Sequence, residues 1–215
     1  ADHGPRRMSH PEAPMGMSSS PKGMAFPDAR KGQVLSVIES LREDPRDEAA
    51  LGDAALQTRN IAVADAAEEL EKMASKNKAA AVFAIDNGAI QALASALSLR
   101  PNSEAVQWKA TSALWQLLLG GPLSLPPDDA KLAVEVTVAA LRAHPNSELV
   151  QEHAVGALGA LVHSDQDNQT RARQAGGMEA VILALEHHKD SEGLQRNAAF
   201  ALGGLVAGSA DAQLR

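Results

Sequence analysis

The segment SEAVQWKATSALWQLL, which begins at Ser103, recurs as SELVQEHAVGALGALV from Ser147 and as SEGLQRNAAFALGGLV from Ser191, at a spacing of 44 residues. In each copy, apolar residues recur four, four and three positions apart, which places them on one stripe of an α-helix. The four columns are Val106, Val150 and Leu194; Ala110, Ala154 and Ala198; Leu114, Leu158 and Leu202; and Leu117, Leu161 and Leu205. The sequence therefore predicts three equivalent core-facing helices, over about 103–119, 147–163 and 191–207.

A second periodic helix precedes each of these segments. Its apolar positions also match, namely Ile90, Leu93 and Leu97; Val134, Thr137 and Leu141; and Met178, Val181 and Leu185. Ser103, Ser147 and Ser191 each stand directly before a Glu, an arrangement that favours a helix N-cap. Paired helices that repeat every forty-odd residues are typical of an α-solenoid, in which each unit buries its apolar faces against its neighbours.

Residues 168–206, NQTRARQAGGMEAVILALEHHKDSEGLQRNAAFALGGLV, resemble an armadillo repeat. They contain an Asn-led short helix, a Gly-Gly turn, a Leu-rich second helix and a third helix of the VQ-x-x-A-x-x-AL type. The resemblance extends over roughly residues 77–215, and HEAT repeats are the near neighbour. It implies an all-α, right-handed α-solenoid of about 3–4 armadillo-like repeats, whose third helices are the three predicted above.

Two parts of the chain depart from this pattern. Residues 120–131, GGPLSLPPDDAK, stand where the Gly turn of the middle unit should be, so we expect a loop instead of its first helix. Residues 31–76 fit as a divergent N-terminal repeat with an insertion, read as an extra turn or helix between Pro45 and Thr58. Ala66, Leu70 and Met73 then occupy the third-helix columns. The native array could continue beyond the last residue given.

The first 30 residues differ in kind from the rest. They hold five of the 11 Pro and four of the 6 Met, together with the run Ser18 to Ser20. This composition is typical of an extended tail. We expect it to be held either by a partner or by the groove of its own solenoid.

Composition excludes several classes of function. Lys plus Arg is 20 and Asp plus Glu is 27 among 215 residues, a formal net charge of −7, and basic residues occur at most in pairs, which disfavours nucleic acid and anionic membranes as partners. The absence of Cys excludes disulfides, thiolate metal sites and a Cys nucleophile. Apolar runs fall far short of the roughly 20 residues that cross a bilayer. We expect a soluble, intracellular protein whose compartment stays open: the cytoplasm, or an organelle if Ala1 is a processed N-terminus.

The face of the third helices that points away from the core carries the candidate partner-binding residues. At 100° per residue, positions 108, 112, 115 and 119 lie opposite the core columns. In armadillo proteins the third helices line the groove, so the resemblance implies a binding surface for an extended peptide or a protein subunit. The candidates are Trp108, Ser112, Trp115, Gln116, Leu119, Glu152, Gly156, Arg196, Phe200 and Gly204.

Two other roles for this face remain open. The indoles of Trp108 and Trp115 could be covered by the loop 120–127 or by a neighbouring long side chain, or the N-terminal tail could fill the groove. The Trp and Asn ladder of nuclear-import receptors is missing here. The matching positions are Ser112 and Gln116, Gly156 and Ala160, and Phe200 and Gly204. A catenin-type acidic ligand is disfavoured because Arg196 is the only basic residue on the predicted face.

We expect several groups of polar residues to have structural roles. We expect the column Gln107, Gln151 and Gln195 to bridge third helices or loop carbonyls, and His144 and His188 to cap the second helices. The stretch around Asp65 and Glu68 is predicted to be a solvated helix face. Ligation of a metal by Glu152, His153 and Glu186 to His188, as in HEAT-like di-iron hydroxylases, is disfavoured because neighbouring helical residues diverge by about 100°.

The sequence therefore predicts a non-catalytic scaffold for protein–protein interaction, with no cofactor, no metal and no small-molecule substrate. The favoured form is an accessory or stabilising subunit of a larger assembly, which uses an apolar groove and its N-terminal arm. The alternatives are an adaptor that captures an extended peptide in the groove and, least favoured, a HEAT-like metalloenzyme.

Overall fold

The computed structural model describes residues 26–42, 52–121, 125–163 and 165–213, which form ten α-helices and no strand. The helices are α1 Asp28–Leu41, α2 Asp53–Lys76, α3 Lys78–Asp86, α4 Ala89–Leu99, α5 Glu104–Gly120, α6 Pro127–Ala143, α7 Glu148–Val162, α8 Gln166–Gln174, α9 Gly177–His187 and α10 Glu192–Gln213. Residues 28–30, which we predicted as part of the tail, belong to α1. The rest of the predicted tail, up to residue 25, lies outside the described residues.

The helices stack in parallel rows, as expected for an α-solenoid. In one row the third helices α2, α5, α7 and α10 pack successively against one another. In a second row α1, α4, α6 and α9 do the same, and each helix of this row also contacts the third helix of its own unit. The short first helices α3 and α8 complete two of the units. The prediction of an all-α repeat architecture is confirmed.

The predicted columns form the core between these rows. Val106, Ala110, Leu114 and Leu117 are at most 1% exposed, and their counterparts on α7 are at most 3% exposed. Burying a Leu or Val side chain contributes roughly 1.5–3 kcal/mol, so these columns stabilise the stacking of the repeats. Leu202 is only partly buried, since among the described residues α10 has a third helix on one side only.

Polar side chains fix the turns between second and third helices. The Ser147 and Ser191 hydroxyls accept hydrogen bonds from the Val150 and Leu194 amides, both at 3.4 Å, whereas Ser103 is an N-cap residue without such a bond. The Gln107 side-chain amide donates hydrogen bonds to the carbonyl oxygens of Leu97 and Arg100, at 2.8 and 3.0 Å. The Gln151 amide donates in the same way to Leu141 and His144, at 2.8 and 2.9 Å. The Gln195 amide donates to the Lys189 carbonyl oxygen. Gln107 and Gln151 therefore bind carbonyl oxygens at the C-terminal ends of the second helices, and Gln195 binds one in the turn after α9; the other predicted alternative, a bridge between third helices, is not what these bonds form.

His144 and His188 differ from the prediction. They stand at the C-caps of α6 and α9, but their rings do not cap their own helices. The Nε2 of His144 bonds the Pro101 carbonyl oxygen at 2.6 Å, and that of His188 bonds the Pro145 carbonyl oxygen at 2.8 Å. Each His therefore connects its repeat to the preceding one, because the turns of successive repeats stack along one edge.

The two departures from the repeat pattern take definite forms. In the middle unit α5 ends at Gly120 and α6 begins at Pro127, a favourable first helical residue, so the loop is shorter than the predicted 120–131. In the N-terminal unit, α2 already begins at Asp53, so residues 53–58 of the predicted insertion extend the third helix; residues 43–51 lie outside the described part. Ala66 and Leu70 are buried and Met73 packs against the core.

Two glycines shape the turns that lead into second helices. Gly88 and Gly176 have φ of +88° and +75°, a region that only Gly adopts without strain. They precede α4 and α9, one in each unit that has a first helix. No single helix within the described ranges is long and apolar enough to cross a membrane, although α3 and α4, bent by 74°, meet the length and composition criterion as a pair.

Candidate protein-binding face

The candidate residues lie on the surface of α2, α5, α7 and α10 that points away from the core, here called the third-helix face. Their exposure varies widely. Leu119 is 56% and Phe200 48% exposed, and Arg196 is also exposed. The half-buried candidates are Trp108, Trp115, Gln116, Glu152 and Gly204. Ser112, at 1% exposure, and Gly156 are buried beneath neighbouring atoms, so they form the floor of the face.

Trp115 rests on Gly156 of the next repeat. A Cβ atom at Gly156 would lie 2.7 Å from Cε2 of the indole, closer than real carbon atoms approach. Only Gly therefore allows the ring to lie against the α7 backbone. The ring also packs against the hydrophobic core, so Trp115 is partly a core residue.

His153 joins the two indoles. Its ring centroid lies 6.1 Å from that of Trp108 and 5.9 Å from that of Trp115. Burial lowers the pKa of His153, against the opposing effect of the Glu152 and Glu71 carboxylates, so the imidazole is neutral at pH 7. The indoles are thus covered on one side by α7. We call Trp108, Trp115 and His153 the aromatic cluster.

Phe200 meets α7 from the opposite side. A Cβ atom at Gly159 would lie 2.8 Å from Cδ1 of Phe200, and the Phe200 ring stacks on His163 with a centroid distance of 4.9 Å. Gly156 and Gly159 are one helical turn apart. Helix α7 therefore supports one aromatic side chain from α5 and one from α10 on adjacent turns.

An ionic group lies beside the aromatic cluster, between α2 and α5. Lys109 Nζ is 3.1 Å from Asp65 Oδ1 and 2.8 Å from Glu68 Oε2, and Lys72 also pairs with Glu68. Hydrogen bonds from Lys109 and Lys72 lower the pKa of Glu68 to about 2, and those to Glu68 raise the pKa of Lys109. Asp65 is exposed and Lys72 pairs with Glu68 one turn away, as expected for a solvated helix face, but Lys109 of the next repeat also reaches back to both carboxylates, which the sequence did not predict.

Sequence reasoning did not select Lys109 or His153, although a signal was available. These two residues and Asn197 occupy one column at the 44-residue spacing, one position after the column that contains Trp108. Each contacts the preceding third helix: Lys109 through its carboxylates, His153 through the indoles, and Asn197 through a 3.2 Å hydrogen bond that it donates to the Glu152 carbonyl oxygen. This column therefore joins successive third helices.

The titratable groups of the face do not assemble a metal site. Glu152 and His153 are adjacent, but the His153 ring faces the indoles. Across the described ranges, no three His, Asp or Glu side chains converge in a way that could hold a metal ion.

Solved structures with a similar arrangement of helices exist. The crystal structure of an engineered protein from the Northeast Structural Genomics Consortium matches with a TM-score of 0.59 and 23% identity, over 86% of this chain and 69% of that one. A second engineered protein from the same consortium matches at 0.57 and 24%, over 82% and 69%. A designed armadillo repeat protein is also similar, at a TM-score of 0.34 and 17% identity over 81% and 82%.

The chain has an armadillo-like helical repeat fold. The stacked rows, the short first helices and the left-handed Gly turns agree with this assignment. No family model and no curated protein matches the sequence. Stacked helical repeats of this kind present an extended surface along the array.

Proposed function

We propose that this chain is a non-catalytic scaffold that binds a protein partner along its third-helix face. The observation that carries the proposal is that the rings of Trp108, Trp115 and Phe200 are held in place but only partly buried. Each ring is held by contacts with α7, yet Phe200 and the half-buried indoles keep accessible surface. Aromatic side chains that are fixed before binding are favoured hot spots, since little conformational entropy is lost when a partner covers them.

The geometry favours the adaptor form of this function over the permanent subunit. The candidate residues of the face combine the exposed apolar side chains of Leu119 and Phe200 with the charged Glu152 and Arg196 and the polar Gln116. Obligate interfaces are larger and more continuously apolar. A segment that crosses α7 would contact rings from α5 and α10 together, because Gly156 and Gly159 hold them one turn apart. The accessory-subunit form depends mainly on the N-terminal arm, which the described residues do not include.

A crosslinking experiment identifies the partner and tests the face. Benzoylphenylalanine is placed at Leu119, or at Ile182 on α9 as an exposed apolar control, and the crosslinked proteins from the native source are identified by mass spectrometry. The affinity of the purified partner is then measured by calorimetry for Trp108→Ala, Phe200→Ala and Ile182→Ala.

We expect Trp108→Ala and Phe200→Ala each to weaken binding by at least about tenfold, as for hot-spot residues, with unchanged circular dichroism. Ile182→Ala should bind like the unsubstituted chain. Trp115→Ala is not used for this purpose because its ring also packs against the core. Unaltered affinity in both the Trp108 and the Phe200 variant would rule out the proposed face.

A further inference from the structure

A pocket at the N-terminal end of the array lies apart from the aromatic cluster. It is a cavity of about 370 Å³ between the start of α1, the end of α2 and the start of α3. Its main lining residues are Phe26, Arg30, Lys72, Met73, Lys76 and Ala80. We propose that this pocket, here called the N-terminal pocket, binds an acidic segment of a protein partner that inserts an apolar side chain between its carboxylates.

The charge of the lining contrasts with that of the chain. Arg30, Lys72 and Lys76 face one carboxylate, Glu69, which already accepts a 2.6 Å hydrogen bond from the Gln33 amide. The chain as a whole carries a formal charge of −7. Within the described residues neither Arg30 nor Lys76 has an acidic partner, and Lys72 shares Glu68 with Lys109. The pocket is therefore a local positive site on an acidic molecule, and it attracts acidic segments.

The base of the pocket is apolar and held in place by the core. The Phe26 ring is buried and lies 5.7 Å from that of Phe83, and Met73 packs against the core beside the buried Ala80. A simple anion would leave this apolar surface exposed, and a purely apolar ligand would leave the cations unmatched. An apolar side chain such as Leu, with Asp or Glu on either side, satisfies both parts.

Two segments of the chain itself, residues 1–25 and residues 43–51, match the pocket less well than an acidic segment of a partner does. Residues 1–25, which lead directly to Phe26, contain three basic and two acidic residues, a net charge of +1 that does not complement the pocket. Residues 43–51 carry a net charge of −3, but they follow the opposite end of α1. From Arg30 to Leu41 the helix spans about 16 Å, so the C-terminal end of α1 lies away from the pocket.

The test uses labelled peptides and fluorescence anisotropy with the full chain. The probe is the peptide EDLEELEDLE, compared with one peptide in which Lys replaces every acid and another in which Gly replaces every Leu. The chain variants are Arg30→Glu with Lys76→Glu, and a matched control with the same charge change elsewhere, Lys131→Glu with Lys189→Glu. All four positions are exposed, so circular dichroism should stay unchanged.

We expect the Arg30 and Lys76 double variant to bind the acidic peptide at least about tenfold more weakly than the control variant at low ionic strength, with the difference shrinking in high salt. The Lys and Gly peptides should bind more weakly than the probe. Equal affinities for the two double variants, or for the three peptides, would overturn the proposal, as would undetectable binding of the probe. Trp108→Ala should leave the affinity for the peptide unchanged, so the outcome is independent of the third-helix face.

Discussion

Two junctions between neighbouring third helices use different chemistry at the same repeat position. Between α2 and α5, Lys109 forms ion pairs with Asp65 and Glu68. Between α5 and α7, His153, one repeat later in the same column, packs against Trp108 and Trp115, and Gly156 admits the Trp115 ring. The repeat geometry thus brings the same column to each junction, while the side chain at that column decides what holds the junction together.

The difference predicts how each junction responds to its environment. Ion pairs near the surface weaken in salt and acid, because their attraction is screened and their carboxylates become protonated. Ring packing on a glycine depends on shape and excluded water, so it tolerates salt but not added volume. The chain therefore combines a salt-sensitive junction at its N-terminal end with a packing-sensitive junction at the centre of its candidate binding face.

The largest expected effect comes from filling the space at Gly156. Gly156→Leu should lower the free energy of unfolding by about 1–3 kcal/mol and shift the tryptophan emission, because even the first side-chain carbon would collide with the Trp115 ring. Urea unfolding followed by both circular dichroism and fluorescence measures the loss.

Gly203→Leu is the matched control for this substitution. Gly203 also lies within a third helix, but no heavy atom lies within 4 Å of the position of its Cβ. Replacing a mid-helix Gly there should leave stability unchanged or raise it by up to about 1 kcal/mol. A loss of stability as large as that of Gly156→Leu would show that ring packing does not distinguish the central junction.

A smaller effect is expected at the ionic junction. Lys109→Met keeps a side chain of similar length but leaves Asp65 and Glu68 without their partner from α5 and removes the Nζ that lies 5.8 Å from the centroid of the Trp108 ring, so it should lower stability at low salt by less than Gly156→Leu does. The difference from the unsubstituted chain should shrink in 1 M NaCl. Lys131→Met, at an exposed position of α6, should have no such effect. A salt-independent loss in Lys109→Met would assign its role to packing.

The smallest expected effect is a difference in the pH range over which each junction loses stability. Burial lowers the pKa of His153 below its ordinary 6.5, so the unfolded chain binds a proton more readily than the folded chain, and this contribution to stability is lost as pH falls below 6.5. The pKa of Glu68 is lowered to about 2 from 4.5, so the stability from its ion pairs is present above pH 4.5 and is lost as pH falls from 4.5 towards 2.

Unfolding in urea at a series of pH values checks this order. His153→Phe should remove part of the loss that begins below pH 6.5, and Glu68→Gln should reduce the further loss below pH 4.5. If His153→Phe leaves the slope of stability just below pH 6.5 intact, the imidazole is not the group that couples the central junction to protons.

Much of the architecture could be predicted because it depends on local periodicity. Columns such as Val106 to Leu117 require a helix with one buried stripe, and the Ser that precedes Glu marks where such a helix begins. The roles of Gln107 and Gln151 could be inferred in part, because a buried polar side chain beside a core stripe needs hydrogen-bond partners, but the sequence left carbonyl oxygens and neighbouring third helices as alternatives. These features follow from neighbours within about ten residues along the chain.

The candidate binding residues could be assigned to a helix face but not to a degree of burial. Ser112 and Gly156 share that face with Trp108, yet both are buried, and Gly156 is covered by Trp115 of the preceding repeat. The hydrogen-bond partner of His144, a carbonyl oxygen of the preceding repeat, also could not be predicted from the sequence. All of these outcomes depend on how far each repeat is rotated and shifted against the next.

The sequence by itself determined the 44-residue unit, its helices and their core stripes, because helical periodicity and capping act over a single turn. Only the tertiary structure decided which residues meet across the junctions: Lys109 with Glu68, Trp115 with Gly156, and Phe200 with Gly159. The physical reason is that a spacing of 44 brings equivalent positions near one another without specifying contact, whereas close packing of two helices admits a ring only where the facing helix has no side chain.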